Sequence, residues 1–113
     1  MGHCIFCKII GGEIPGDVVL EDEEFFAIRD ISPKAAQHVL VMPREHVESL
    51  NEVGVWTDGR GQRLLAFTAR VAADLGIARS GYRVITNVGP DGGQEVDHLH
   101  FHVLGGERLG DLV

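Results

Sequence analysis

Three histidines fall at alternate positions, His98, His100 and His102, with Leu99, Phe101 and Val103 between and after them. Alternation is the period of a β-strand. Residues 98–104 therefore read as a strand that carries all three imidazoles on one face and buries the apolar residues behind them. Histidine titrates near neutrality, and it can attack phosphorus, protonate what leaves, or hydrogen-bond phosphate oxygens. The plainer reading is a half-exposed strand that uses histidine as its polar residue, and three copies in a row weigh against it. At a rise of ~3.3 Å per residue, neighbouring histidines stand ~6.6 Å apart and the outer two ~13 Å. Zinc holds nitrogen at about 2.0 Å, so two neighbours could tilt onto one metal, but the outer pair could hardly do so without distorting the strand. The row must serve at least two roles.

The loop ahead of the row holds Asn87, Gly89, Gly92, Gly93 and Gln94. Without a Cβ in the way, its amides can approach an anion closely, and phosphate is a good candidate. A hairpin that needs glycine only to turn is the alternative. The two cysteines both lie in Cys4-Ile5-Phe6-Cys7, too few for a disulfide framework and too close to staple distant segments. Three apart on a helical or turn segment, their sulfurs face the same way, and two further ligands would close a tetrahedral zinc site. A redox pair or two unrelated thiols are the competing readings.

These groups need elements to hold them. Within 113 residues and 12.3 kDa there is room for one hydrophobic core, so residues 1–113 read as a single domain. The 44% hydrophobic and 24% charged fractions are those of an ordinary globular chain. A net charge of −7, with the basic residues dispersed, argues against a nucleic-acid partner. No apolar stretch approaches the ~20 residues that span a bilayer, so no membrane association is expected. The N-terminus has no basic-then-apolar leader, which leaves a cytoplasmic location as the default.

Residues 5–10 read as a short helix stopped by Gly11-Gly12. Residues 18–20 and 25–28 flank an acidic turn as a hairpin, and residues 38–42, closed by Pro43, read as a buried strand opened by His38. Leu64, Thr68, Val71, Ala72 and Leu75 share one face of a main helix running from Gln62 to a stop at Gly76. Strands at residues 82–87 and 98–104 follow. The order predicts an α+β domain on an antiparallel sheet. Asp30, before Ile31-Ser32-Pro33, suits a turn cap, and Phe6, Phe25 and Ile31 suit a core.

The segment HLHFHVL at residues 98–104 resembles the alternating signature of the histidine triad, or HIT, superfamily. The chain is similar in particular to its Hint branch of nucleoside phosphoramidases, through Phe6-Cys7-Lys8-Ile9-Ile10, Glu13-Ile14-Pro15, Asp30-Ile31-Ser32-Pro33, residues 38–43, Ala73-Asp74-Leu75-Gly76, Asn87, Asp91-Gly92-Gly93-Gln94 and Leu104-Gly105-Gly106. The resemblance implies a HIT-like fold, a five-stranded antiparallel sheet with one main helix and a short N-terminal helix. It implies a hydrolase of purine nucleoside 5′-phosphoramidates, nucleotidyl-lysine included, in which His100 attacks the α-phosphorus and water releases the nucleotidyl-histidine. His102 and His38 would bracket nucleophile and phosphate and fix the attacking tautomer. Asp30 would accept from the ribose hydroxyls, while Ile5, Phe6, Ile9, Ile28, Ile31 and Leu40 would form a slot for the purine. Asn87, Gly93 and Gln94 would contact phosphate oxygens or the leaving group.

Some bacterial relatives bind zinc through such a cysteine pair and two histidines, which here would be Cys4, Cys7, His46 and His98, with His3 as a substitute ligand. This zinc would be structural, and no organic cofactor is implied. The implied partners are the nucleotide (a phosphoramidate, AMP or GMP) and a second copy of the chain in a homodimer. The chain departs from the Hint pattern at Glu95, where serine is common. A carboxylate would repel phosphate, so its side chain is expected to turn away while its amide keeps the contact, unless it is protonated or meets a substrate amine. The tail from Glu107 and residues 53–61 also depart. Three rivals remain: a nucleotide-binding regulatory module with incidental turnover, another nucleotidyl hydrolase or transferase of the HIT superfamily, with a phosphorus–oxygen bond as its target, and a metalloenzyme with all three row histidines on zinc.

Overall fold

A computed structural model describes residues 4–111. In chain order the elements are helix α1 (Ile5–Ile10), strands β1 (Val18–Glu21), β2 (Phe25–Arg29) and β3 (Gln37–Pro43), a 3-10 turn (Leu50–Val55), helix α2 (Arg60–Asp74), and strands β4 (Tyr82–Ile85) and β5 (Phe101–Gly105). The strands form one antiparallel sheet in the order β1-β2-β3-β5-β4, the α+β architecture expected. Among the described residues, no helix is long and apolar enough to cross a membrane.

Central β3 is apolar on both faces because each face is covered. On one, Phe25, Ala27, Val39, Val41, Phe101 and Val103 pack against Leu64, Phe67, Val71 and Ala72 of α2. On the other, Phe26, Ile28, Leu40 and Met42 pack against Phe6 of α1. Burying side chains of this size contributes roughly 1.5–3 kcal/mol each, so the larger α2 face anchors the sheet while the smaller α1 face carries the polar groups. Registers Leu40↔His102 and Ile85↔His102 set His102 on the α1 face, between β3 and β4.

The strands β1, β2 and β3 differ from the sequence reading by one residue at an end or at both, and four differences are larger or bear on the site. Helix α2 begins at Arg60 rather than Gln62, because Gly59 (φ 86°) provides the left-handed entry and Asp58 Oδ1 accepts from the Arg60 amide at 3.1 Å. Gly61 sits within its first turn, in open space. Ser49 and Glu52 form a reciprocal capping box that nucleates the 3-10 turn, in a stretch that reads only as polar. Strand β4 ends at Ile85 rather than at Asn87.

The last difference concerns the histidine row. β5 begins at Phe101, so His98 and His100 precede the strand. The ladder ends there because Pro43 has no amide to offer and its carbonyl takes the His98 imidazole instead, at 2.8 Å. The alternation survives without the ladder. Leu99, Phe101 and Val103 belong to the α2-side core, while the His98 and His100 rings lie against Phe6.

Candidate functional site

The site is built on the α1 face around His100. This ring is buried, edge-on to Phe6 at 5.0 Å, and its centroid lies 5.1 Å from that of His102. Its Nδ1 donates to the His98 carbonyl at 2.7 Å. A carbonyl can only accept, so the proton sits on Nδ1 and the lone pair on Nε2. The atom that fixes the tautomer is therefore a main-chain oxygen, not the imidazole of His102 or His38.

A second run of bonds sets the other two rings. The Lys34 amide donates to His38 Nδ1 at 3.0 Å, which leaves the His38 proton on Nε2. That N–H donates to His102 Nδ1 at 2.8 Å, so neutral His102 holds its proton on Nε2. Burial keeps the rings neutral. It lowers His38 against the opposing charge of Asp30, and together with His100 and His38 it brings His102 down to about 4. The result is one acceptor nitrogen on His100 beside one donor nitrogen on His102.

An open hollow of about 520 Å³ adjoins the His38 and His102 rings, lined by Asp30, Ile31, Lys34, Asn87 and Glu95 among others, with buried His100 behind His102 rather than in its wall. Asp30 has two duties. Its Oδ1 accepts from the Ser32 amide at 2.8 Å, the turn-capping role, while Oδ2 lies 3.4 Å from His38 Nε2. Ile31, at 99% relative exposure, is a bare apolar side chain on the rim, the kind of surface that gains from a flat apolar ligand. Glu95 also lines the hollow, near enough for its charge to act on His102. It also lines a separate depression beside Cys4 and His46, so it stands between the two.

Other expected contacts fall elsewhere. Phe6, Ile28 and Leu40 are buried in the smaller core, with Ile9 packed against them, because Ile28 and Leu40 of the strands seat Phe6 of α1; they do not line the hollow. Ile5 lies beside Cys4 and His46, in a separate depression. Gln94 pins the loop instead of facing the hollow: its Oε1 accepts from the Gly89 amide at 2.9 Å, and its Nε2 donates to the carbonyls of Glu48 and Val96. The amides of Gly93 and Gln94 bond within the loop, to Pro90 and Gly89.

The second centre lies at the other end of the row. The donor atoms of Cys4, Cys7, His46 and His98 all lie within 4.8 Å of one another. The His98 Nδ1 is 3.4 Å from Cys4 Sγ and 3.6 Å from Cys7 Sγ, and His46 Nδ1 is 3.4 Å from Cys7 Sγ. A tetrahedral ion with zinc-like bonds requires sulfur–nitrogen edges of about 3.6 Å, so the four residues fit such an ion. The Pro43 carbonyl accepts from His98 Nε2, which leaves Nδ1 unprotonated as a ligand must be. Burial and the neighbouring Cys4 raise the Cys7 thiol, and a bound cation would oppose this by favouring thiolate. His3 lies outside the described residues. Among the described residues, no such group contains all three histidines of the row; the other is Asp30, His38 and His102.

The chain matches the HIT domain family over residues 11–109. It belongs to that family. The purine nucleoside phosphoramidase of Escherichia coli K12 is 43% identical over 109 residues, 96% of this chain and 92% of the relative. Among solved structures, a HIT family hydrolase from Clostridium thermocellum superposes with a TM-score of 0.93 at 43% identity, covering 100% of this chain and 98% of that one. A HIT family hydrolase from Legionella pneumophila gives 0.90 at 41% identity, covering 96% of each. The five-stranded antiparallel sheet is thus the HIT fold.

Within this HIT domain, three backbone groups matter that a reading of side-chain types misses: the carbonyls of His98 and Pro43 and the amide of Lys34. Pro43 is the one with a signal, since a proline closing a buried strand cannot donate to the next ladder pair; the ladder can stop there, and with the Leu99 amide bonded to Val47 the Pro43 carbonyl is left for the His98 ring.

Proposed function

We propose that this protein hydrolyses purine nucleoside 5′-phosphoramidates, of which adenosine 5′-phosphoramidate is the simplest, through a covalent nucleotidyl-histidine on His100. The observation that carries this reading is the pairing of nitrogens: His100 Nε2 presents a lone pair because Nδ1 is tied to the His98 carbonyl, and His102 Nε2 presents a proton because Nδ1 accepts from His38. A nucleophile beside a hydrogen-bond donor suits an electrophilic phosphorus whose oxygens gain negative charge. The name of the Escherichia coli relative supports the choice of substrate.

In this scheme His100 Nε2 bonds to phosphorus as the phosphorus–nitrogen bond breaks; the departing nitrogen keeps that electron pair, takes a proton from solvent water and leaves as the amine. Positive charge on the modified ring is met by the His98 carbonyl. His102 donates to a phosphate oxygen, with His38 holding its ring; a water oxygen then bonds to phosphorus as the phosphorus–Nε2 bond breaks, its proton passes to solvent, and neutral His100 is restored. The ribose hydroxyls donate to Asp30, the purine rests against Ile31, and Asn87 borders the phosphate. The amide of Glu95 is available to the phosphate, while its carboxylate suits an amine on the leaving side.

Zinc is the metal that suits Cys4, Cys7, His46 and His98, where it would brace α1 against the row without entering the chemistry. Tyr82 and Val84 on edge strand β4 leave apolar surface exposed, which supports the reading as a homodimer.

The test is turnover of adenosine 5′-phosphoramidate by wild type and His100→Ala, with acid quenching to trap the adduct. Wild type should turn over and yield a nucleotidyl adduct mapping to residue 100; the variant should lose at least ~10³-fold, the scale of losing a covalent nucleophile. A protein that binds AMP with the same negligible rate in both forms is a binding module instead.

A further inference from the structure

The two centres at either end of the histidine row share a residue. The ring of His98, fully buried at 0% exposure, turns Nδ1 to the sulfurs of Cys4 and Cys7, while its own main-chain carbonyl holds His100 Nδ1 at 2.7 Å. A second link runs through α1. Phe6 stands between the two cysteines in sequence, and its ring meets His98 at 5.8 Å and His100 at 5.0 Å, edge-on to both.

This part of the chain lies outside the sheet. The row enters β5 at Phe101, which pairs with Val41; upstream of it the His98 amide bonds to Val96, and the Leu99 amide, in the same peptide plane as the His98 carbonyl, bonds to Val47 at 2.7 Å. One main-chain bond thus sets that plane from its amide side, and the His98 side chain supplies the further ties to the carbonyl that orients His100. Without a cation, the tie on the Nδ1 side of His98 is a contact to thiols, which are weak hydrogen-bonding partners. With a cation it becomes a set of bonds that also fix α1 and Phe6.

We propose that metal occupancy of the Cys4, Cys7, His46 and His98 cluster orients the His100 imidazole, making His98, Cys4, Cys7 and Phe6 positioning residues for the nucleophile. This goes beyond a brace for the fold, although it rests on reading the cluster as a metal site and His100 as the nucleophile. Partners one shell removed from a reacting or ligating group typically change activity 10–100-fold, and displacements of about 1 Å at a reacting atom reach 10²-fold.

The experiment compares zinc-loaded protein with protein stripped by a chelator and with protein reloaded with Zn²⁺ or Cd²⁺ alone. Three quantities are read: the ¹⁵N imidazole spectrum of His100, kcat and KM for adenosine 5′-phosphoramidate, and far-ultraviolet circular dichroism. Stripping should leave a folded chain whose His100 signals lose the single Nδ1–H pattern. The expected kinetic change is a kcat lower by about 10–100-fold, with KM moving less than about twofold, and both kcat and spectrum returning with one equivalent of Zn²⁺.

If stripping unfolds the chain, the cadmium form decides: its longer bonds to sulfur should shift the His100 signals and change kcat severalfold while KM holds. Unchanged His100 signals and kcat in whichever of these forms is folded would overturn the proposal, as would failure of the cluster to take up either metal. Failure of the phosphoramidase reading looks different. Turnover would then be absent from every form, and the response of the His100 spectrum to metal would still decide the positioning role.

Discussion

Lowering the pH should destabilise the fold through His102 in particular, because the same burial that keeps this ring a neutral donor makes its protonation costly. The perturbation is a change from pH 7 to pH 5, in wild type and in His102→Gln, whose amide can still accept from His38. In the unfolded chain His102 takes up a proton near its ordinary value of 6.5, whereas in the native state it resists down to about 4. Between those values the unfolded state binds more protons, so stability falls as pH falls; the contribution is full above 6.5 and is gone below about 4.

At 1.36 kcal/mol per unit, the shift is worth about 3 kcal/mol across the whole window, and integration from pH 7 to pH 5 gives a loss of about 2 kcal/mol. Urea unfolding at both pH values, with saturating zinc throughout, measures it. Wild type should lose about 2 kcal/mol more than His102→Gln, since other titrating groups, including buried His38, contribute to both forms. Equal losses would mean that His102 titrates alike in both states, and the neutral-donor argument would fail with it.

Two further substitutions probe the hollow. Glu95→Gln removes a carboxylate that shares this space with His102; calorimetric titration should find AMP bound about two- to fivefold more tightly at low salt, the gain shrinking at high salt as expected of exposed charges. Gly92→Ala would drive a Cβ into the backbone of Val88, including its carbonyl oxygen and its nitrogen at 2.9 Å, so the loop must shift. A stability loss of about 1–3 kcal/mol by thermal unfolding, accompanied by weaker AMP binding, is the expected outcome.

How far the sequence reached depended on the range of the interaction concerned. The period-2 run at residues 98–104 and the helical face of α2 were legible because each repeats a local burial pattern, and so was the pairing of Cys4 with Cys7 on one short helix. The start of α2 at Arg60 was not legible, because only the backbone shows that Gly59 carries the positive φ while Gly61 stands in open space within the first turn. The purine slot was left ambiguous for a related reason. Phe6, Ile28 and Leu40 have the composition of a pocket wall and of a core alike, and only the seating of α1 on the sheet assigns them to the core.

By itself the sequence determined which groups could react: an imidazole row, a thiol pair and an acidic turn residue, all set by side-chain type and short spacing. The tertiary structure alone decided which nitrogen of each imidazole is free. That depends on the carbonyls of His98 and Pro43 and the amide of Lys34, and main-chain groups are the same in every residue until the fold brings one within hydrogen-bonding distance of a ring.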